Sequence, residues 1–246
     1  MLFRSYTAAT LGNFTLTAVV TDSNAVANSA TEIPFSVVPA PGSGGLYFDG
    51  IADHVGLGDA ADLKLSTFTL ETWFKRETPG VAANTGALVA IPLIAKGRDQ
   101  AEGTTLDMNY FLGIRQSDGV LVADFEGGPG TNVPVAGSTV IPYGTWQHAA
   151  CVFDGTQWKL YLNGNLEATV SANGVTPRAD SIQHASIATA MNSSGLSVGA
   201  FGGFMDEVRI WNTARSAEEI RATCNSEFTS ATGLVARWAM TEGTGT

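Results

Sequence analysis

Residues 146–171 read WQHAACVFDGTQWKLYLNGNLEATVS, three runs of alternating apolar and polar residues held together by short turns. Asn163-Gly164 is the strongest of the turn signals, because both residues accept the positive φ that a two-residue hairpin needs to match the twist of its strands. The runs WQHAACVF, QWKLYL and NLEATVS have the length and the aromatic and β-branched content of strands. Side chains in a strand point alternately to the two faces of its sheet. Each run can therefore bury one face and keep the other for a second layer or for water.

The same period recurs along most of the chain. LYFDG, DHVGLG, FTLETWFKR, LVAIPLIAKG, MNYFLGIRQ, GVLVADFEG, LSVGAF and MDEVRIW all read as strands, with Asp118-Gly119 as a further turn. About a dozen strands with Gly- and Asn-rich turns predict an all-β fold, a sandwich or a barrel. One segment departs from this period. In SAEEIRATCNSEF, Ser216 and Glu219 form an S-x-x-E capping box, and Ile220, Cys224 and Phe228 recur at four-residue steps. It predicts a short C-terminal helix packed on the sandwich. The chain then returns as LVARWAM, with Leu234, Ala236, Trp238 and Met240 in one phase.

The first forty residues stand apart. NFTLTAVVTD and EIPFSVV alternate around a loop of turn formers, DSNAVANSAT, and VPAPGSGG follows as a Pro/Gly/Ser linker. Two strands alone are marginal in water. GNFTLTAVVTDSNA with its second strand resembles the last hairpin of bacterial immunoglobulin-like modules, so residues 1–40 are read as a partial module plus linker.

Composition limits the function. The 246 residues are 44% hydrophobic and 15% charged, enough apolar content for a full core. A net charge of −10 without clustered Lys or Arg argues against nucleic acid or an anionic membrane surface as partner. No apolar run approaches the roughly 20 residues of a membrane span. Low Lys content with abundant Gly, Thr, Ser and Asn suggests an exported bacterial protein. Cys151 and Cys224 are too few for a disulfide framework, and one bridge or two buried thiols both remain open. His54, His148 and His184 lack zinc spacing.

Four blocks in fixed order, LYFDGIADHVGLG, FTLETWFKRE, GTWQHAACVFDGTQWKLYLNGNL and GFMDEVRIWNTARSAEEI, resemble the laminin G-like jelly-roll domain of the concanavalin A-like superfamily. The tail TGLVARWAMTEGTGT is similar to a strand that in the family closes the domain or opens the next repeat. The resemblance implies a two-sheet antiparallel jelly-roll sandwich over residues 41–246, with 234–246 as that strand. It implies an adhesion or sugar-binding unit in a large secreted protein with neighbouring domains, of which this chain is a fragment. It also implies that His148 packs beside a Trp.

Read as one uninterrupted strand, residues 202–211 put Asp206 on a face with Phe204, Val208 and Ile210. A carboxylate there must be paired, hydrogen-bonded or bound to metal. Related jelly rolls hold a structural calcium through the Asp of this strand and an early Phe-Asp-Gly, which here implies Asp49, the Gly50 carbonyl and Asp206 around one Ca²⁺. The other reading gives Asp206 a capping or Arg-pairing role and makes Asp49 a turn residue. Asp124 and Glu126 share a face in VADFEGG, with Asp107 and Asn109 on the adjacent strand. They are candidate ligand contacts or an exposed polar face. Trp158, after a turn, is a candidate to stack on a sugar, with core packing as its alternative.

The carboxylate strand of the related laminarinase-type enzymes is missing, so no catalytic residues are expected here. The expected partner is carbohydrate or a surface glycoprotein, at the cell surface or outside it. A structural spacer and a glycosidase-like enzyme are the alternatives. An aromatic platform exposed on the concave sheet favours binding, and a concave sheet covered by loops favours the spacer.

Overall fold

The computed structural model describes residues 12–21, 27–37, 45–98, 108–127 and 131–240. Contacts divide the chain into two units, Met1–Gly42 and Ser43–Thr246. In the first, β1 (Gly12–Thr21) pairs antiparallel with β2 (Ala27–Val37), Phe14 opposite Phe35 and Leu16 opposite Ile33.

The second unit begins with β3 (Leu46–Asp49), β4 (Val55–Gly58), β5 (Phe68–Arg76), β6 (Ala83–Asn84) and β7 (Val89–Lys96). It continues with β8 (Tyr110–Arg115), β9 (Val120–Asp124), β10 (Val135–Val140), β11 (Trp146–Phe153), β12 (Gln157–Leu162) and β13 (Asn165–Ser171). After these come β14 (Ala185–Ile187), β15 (Ala190–Met191), β16 (Ser197–Val198), β17 (Gly202–Trp211), the helix α1 (Ala217–Thr223) and β18 (Leu234–Trp238).

Two antiparallel sheets result. One has the order β13-β12-β11-β5-β17-β18, with β3 also on β17. The other has the order β10-β9-β8-β7-β14-β4, with β6 on β7. This is the jelly-roll sandwich that the family resemblance implied, and it resolves the alternation into two sheets rather than a barrel. The opening stretch forms β11, β12 and β13 in sequence, and the Asn163-Gly164 turn carries φ values of 51° and 74°.

The core lies between the sheets. Phe68, Leu70 and Phe74 of β5, Phe153 of β11, and Met205, Val208 and Ile210 of β17 join Ile94, Leu112, Ile114 and Leu121 of the second sheet in one buried cluster. On the far side of the first sheet, Ala150, Val152 and Tyr161 meet Ile220 of α1. The helix starts at the expected capping box: Ser216 Oγ accepts from the Glu219 N–H at 3.1 Å, and Glu219 Oε2 accepts from the Ser216 N–H at 2.7 Å.

The two cysteines are free thiols. Cys151 belongs to the inter-sheet core, while Cys224 caps α1 on the opposite face of the same sheet, so the bridge is excluded. Among the described residues, no helix is long and apolar enough to cross a membrane.

Candidate functional site

The phase of β17 changes at Asp206. Asp206 stands opposite Trp73 and Arg209 opposite Glu71, so three steps along β17 match two along β5. The extra residue is Glu207, at φ 49°. This is a β-bulge, and it falls where β17 exchanges one edge partner for another: β3 pairs with 202–205 and β18 with 208–211. Met205, before the bulge, and Val208 and Ile210, after it, all point into the core. Asp206 therefore alternates outward with Phe204 and does not share the face of Val208 and Ile210.

Asp206 is nonetheless only 2% exposed. Its Oδ1 accepts from the Glu207 N–H at 2.9 Å, across the bulge. Burial raises its pKa to about 7, and the neighbouring Glu207 adds to the rise. Asp49 is a surface turn residue. Its Oδ1 accepts from the N–H groups of Ile51, Ala52 and Asp53, which together hold its pKa below the ordinary 3.8. Gly50 sits at φ 75°, where a Cβ would lie 2.7 Å from Thr78 Oγ1 and 3.0 Å from the Gly202 Cα. Its role is close approach at positive φ.

These positions do not form one calcium shell. Asp49 pairs with Gly202, four residues from Asp206 along β17, or about 13 Å at strand rise. Calcium–oxygen distances are about 2.3–2.6 Å. Among the described residues, no three His, Cys, Asp or Glu side chains converge as a metal group. Asp49→Asn and Asp206→Asn are accordingly expected to be additive in urea unfolding with calcium present, within about 0.5 kcal/mol. A larger coupling would restore the shared ion.

The second candidate group is interior. Asn109 clasps the Leu65 backbone, with Oδ1 accepting from N–H at 2.9 Å and Nδ2 donating to C=O at 2.8 Å. Asp124 and Glu126 are both buried. Asp124 Oδ2 accepts from Thr85 Oγ1 at 2.6 Å and Asn132 Nδ2 at 3.0 Å. Glu126 Oε2 accepts from the Met108 N–H at 3.0 Å. Asp107 lies outside the described residues.

Trp158 is wholly buried against Phe68, Phe125 and Phe153. The expectation that Asn109, Asp124, Glu126 and Trp158 face a ligand is thus corrected. Strand phase or covering loops turn each of them inside. Away from the inter-sheet core, Ala90, Ala95, Phe111, Val120 and Val122 of the second sheet form a further buried cluster with Leu88, Met108 and Ala190.

Burial gives Asp124 a measurable signature. Its pKa rises from the ordinary 3.8 to about 7, because desolvation outweighs the hydrogen bonds from Thr85 and Asn132. The fold then holds this proton more tightly than the unfolded chain does. That stabilisation is complete below about pH 4 and disappears as pH climbs through 7. Relative to the wild type, Asp124→Asn should gain about 2–4 kcal/mol between pH 4 and pH 8. Urea unfolding at both pH values reads it, and a difference flat in pH would sink the shifted carboxyl.

Two outward clusters on the first sheet were not singled out from the sequence. The first lies sealed beneath α1. Glu71 Oε1 accepts from Trp211 Nε1 at 2.7 Å and Arg215 Nη1 at 2.8 Å, and Arg209 Nη1 stands 3.6 Å away. Arg209 also donates to Glu207 at 2.8 and 3.0 Å, and Arg237 pairs with the same carboxylate. His148 packs beside Trp73, ring centres 5.3 Å apart and tilted by 59°, as the family resemblance implied. Burial, then Arg209 and Arg215, push its pKa down to about 3, so it is neutral. Trp73 Nε1 donates to the Cys224 carbonyl at 2.7 Å. No substrate reaches these groups, and the cluster fastens helix to sheet.

The second cluster is open. Register places Tyr47, Phe204, Lys75 and Trp146 in one row across β3, β17, β5 and β11. Tyr47 is 48% exposed and the other three are half-buried. Tyr47 meets Phe204 at 5.0 Å and Trp146 meets Phe204 at 6.3 Å. Lys75 Nζ lies 4.5 Å from the Phe204 centroid and pairs with Glu77 at 2.8 Å. The signal was in the alternation of FTLETWFKR and GGFMDEVRIW, hidden by the bulge.

The Laminin_G_3 model of the concanavalin A-like lectin/glucanases superfamily matches residues 48–221. Among curated proteins, pappalysin-1 of Mus musculus is 27% identical over 191 residues, which are 74% of this chain and 11% of that protein. The chain therefore spans about a tenth of the length of that curated relative.

Two solved structures are similar in fold. One is the CBM40 of Ruminococcus gnavus IT-sialidase bound to α2,3-sialyllactose, with TM-score 0.55, 18% identity, and coverage of 73% of this chain and 96% of that one. The other is domain 4 of AbnA, a GH43 extracellular arabinanase from Geobacillus stearothermophilus in complex with arabinotriose. Its TM-score is 0.51 at 17% identity, covering 72% of this chain and 75% of that one. With a sandwich of the expected topology and a match running from the end of β3 into α1, the chain belongs to the Laminin_G_3 family of the concanavalin A-like lectin/glucanases superfamily.

Proposed function

We propose that the second unit is a non-catalytic carbohydrate-binding module of an extracellular, multi-domain protein, its partner a polysaccharide or the glycan of a surface glycoprotein. The row of Tyr47, Phe204, Lys75 and Trp146 carries this reading. Aromatic surface stacks on the apolar side of sugar rings, while Tyr47, Lys75 and Glu77 offer hydrogen-bonding groups beside it. The sugars in the two similar structures, sialyllactose and arabinotriose, support the same class of ligand.

The carboxylates that the strands FTLETWFKR and VADFEGG offered for catalysis are not placed for it. Glycoside hydrolysis needs two carboxyl groups open to a cleft, and Glu71, Asp124 and Glu126 are all enclosed. Calcium enters the proposal only as a structural ion away from the sugar, not shared by Asp49 and Asp206. The buried cluster on the far side of the second sheet favours a second reading, a spacer between neighbouring domains.

A glycan and polysaccharide array probed with the full chain, in calcium and in EDTA, separates the two. Binding is expected in both conditions, with Trp146→Ala weakening it by about tenfold, the cost of losing one aromatic contact. Silence from a folded sample would leave the spacer.

A further inference from the structure

Arg209 and Arg215 are buried against carboxylates, but Arg76, only 7% exposed, has no ion-pair partner among the described residues. Among the described residues its one side-chain hydrogen bond runs from Nη2 to the Pro79 carbonyl at a long 3.5 Å, and Nε has no acceptor. The guanidinium lies over the Tyr143 ring, with Cζ 4.4 Å from its centroid. The acids of the adjoining segments are already engaged: Glu77 with Lys75 at 2.8 Å, and Asp118 with Arg115 at 2.6 Å.

Residue 119, in the turn between β8 and β9, is glycine at φ 74°. A Cβ there would stand 3.3 Å from Arg76 Nη1, so glycine keeps the approach to that nitrogen clear. Tyr143 is 51% exposed, one side of its ring against Arg76, and Val140 beside Gly119 is also exposed.

A cation taken out of water without a counter-ion is costly, and this one occurs in a chain of net charge −10. The arrangement suits an anion supplied from outside. A guanidinium presents a planar fork that matches a carboxylate, and the outer side of Tyr143 is a surface for a sugar ring. We propose that Arg76 and Tyr143 form a subsite for the carboxylate of an acidic oligosaccharide, a uronate or a sialate. Arg76 pairs with the carboxylate and Tyr143 carries the ring that bears it. This deepens the proposed carbohydrate function and rests on it.

The test uses the full chain and calorimetric titration with trigalacturonate, its methyl ester, α2,3-sialyllactose and lactose. At least one acidic sugar should bind more tightly than its neutral counterpart. Arg76→Gln should weaken that sugar by about 10- to 100-fold, the range for a hydrogen bond to a charged group, while leaving the neutral counterpart unchanged. Tyr143→Ala should weaken both members of the pair. Its exposed position makes it the usable variant if Arg76→Gln does not fold.

Neutral sugars binding as well as acidic ones, or a folded Arg76→Gln that holds the acidic sugar at wild-type affinity, would overturn the subsite and leave the carbohydrate module standing. No binding by any sugar, here or on the array, would overturn both.

Discussion

Glu71→Ala is expected to destabilise the protein by about 3–5 kcal/mol, the range for removing one partner from a buried charge cluster. Arg209 would keep Glu207 at 2.8 Å, but Arg215 would lose the one carboxylate it meets among the described residues. The Trp211 Nε1–H would lose its acceptor at the same time. The indole donor and the Arg215 guanidinium would then be left beneath α1 without their carboxylate.

Urea unfolding measures the total, and two further variants apportion it. Glu71→Gln keeps an acceptor and the shape but not the charge, so its loss should be smaller, about 1.5–3 kcal/mol. Replacing Glu71, Arg209 and Arg215 together with apolar residues should cost less than Glu71→Ala alone, because it leaves no unpaired charge. Hydrogen exchange locates the damage: the amides of Ile220 and Cys224, which bond within α1, should lose protection before those of β11. A loss below about 1 kcal/mol for Glu71→Ala would mean that the cluster is solvated rather than sealed.

The layout of the fold was legible because it is written in local signals. Asn163-Gly164 turns β12 into β13, and Ser216 with Glu219 starts α1. The apolar phase of LVARWAM returns as β18 on β17. The sites were harder to read because each depends on a fact that is not local. The face of Asp206 is set by a bulge that coincides with the exchange of β3 for β18 along one edge. Nothing in MDEVRIW marks Glu207, a non-glycine residue at positive φ, as the extra residue.

Asp124 and Glu126 alternate as a polar pair in VADFEGG, but the loop residues Thr85 and Asn132 that close over Asp124 come from elsewhere in the chain. The mid-strand charges Glu71 and Arg209 were visible in FTLETWFKR and MDEVRIW. A charge in the middle of a half-buried strand predicts a covered partner, and α1 is the cover.

Trp158→Ala is the second large effect expected, about 3–5 kcal/mol by urea unfolding. Trp158 pairs across β11–β12 with Phe153, and its ring meets Phe68 at 5.4 Å, Phe125 at 5.5 Å and Phe153 at 6.0 Å. Alanine would leave a cavity walled by three rings held by both sheets, a site with little room to collapse. The indole Nε1 is buried without an acceptor, so the residue contributes by volume and not by a hydrogen bond. Trp158→Phe therefore loses some packing but also removes an unpaired donor. Its cost should stay below about 1.5 kcal/mol, as for other conservative core swaps.

The phenylalanine variant also decides between the two roles first open to this residue. Folded Trp158→Phe should retain any sugar affinity of the wild type, because the ring never reaches solvent. An affinity that falls while its melting curve stays in place would put Trp158 back on a ligand-contacting surface. The same comparison at Trp146 should come out the opposite way: little change in stability and a clear loss of binding, because its ring lies in the open row with Tyr47 and Phe204.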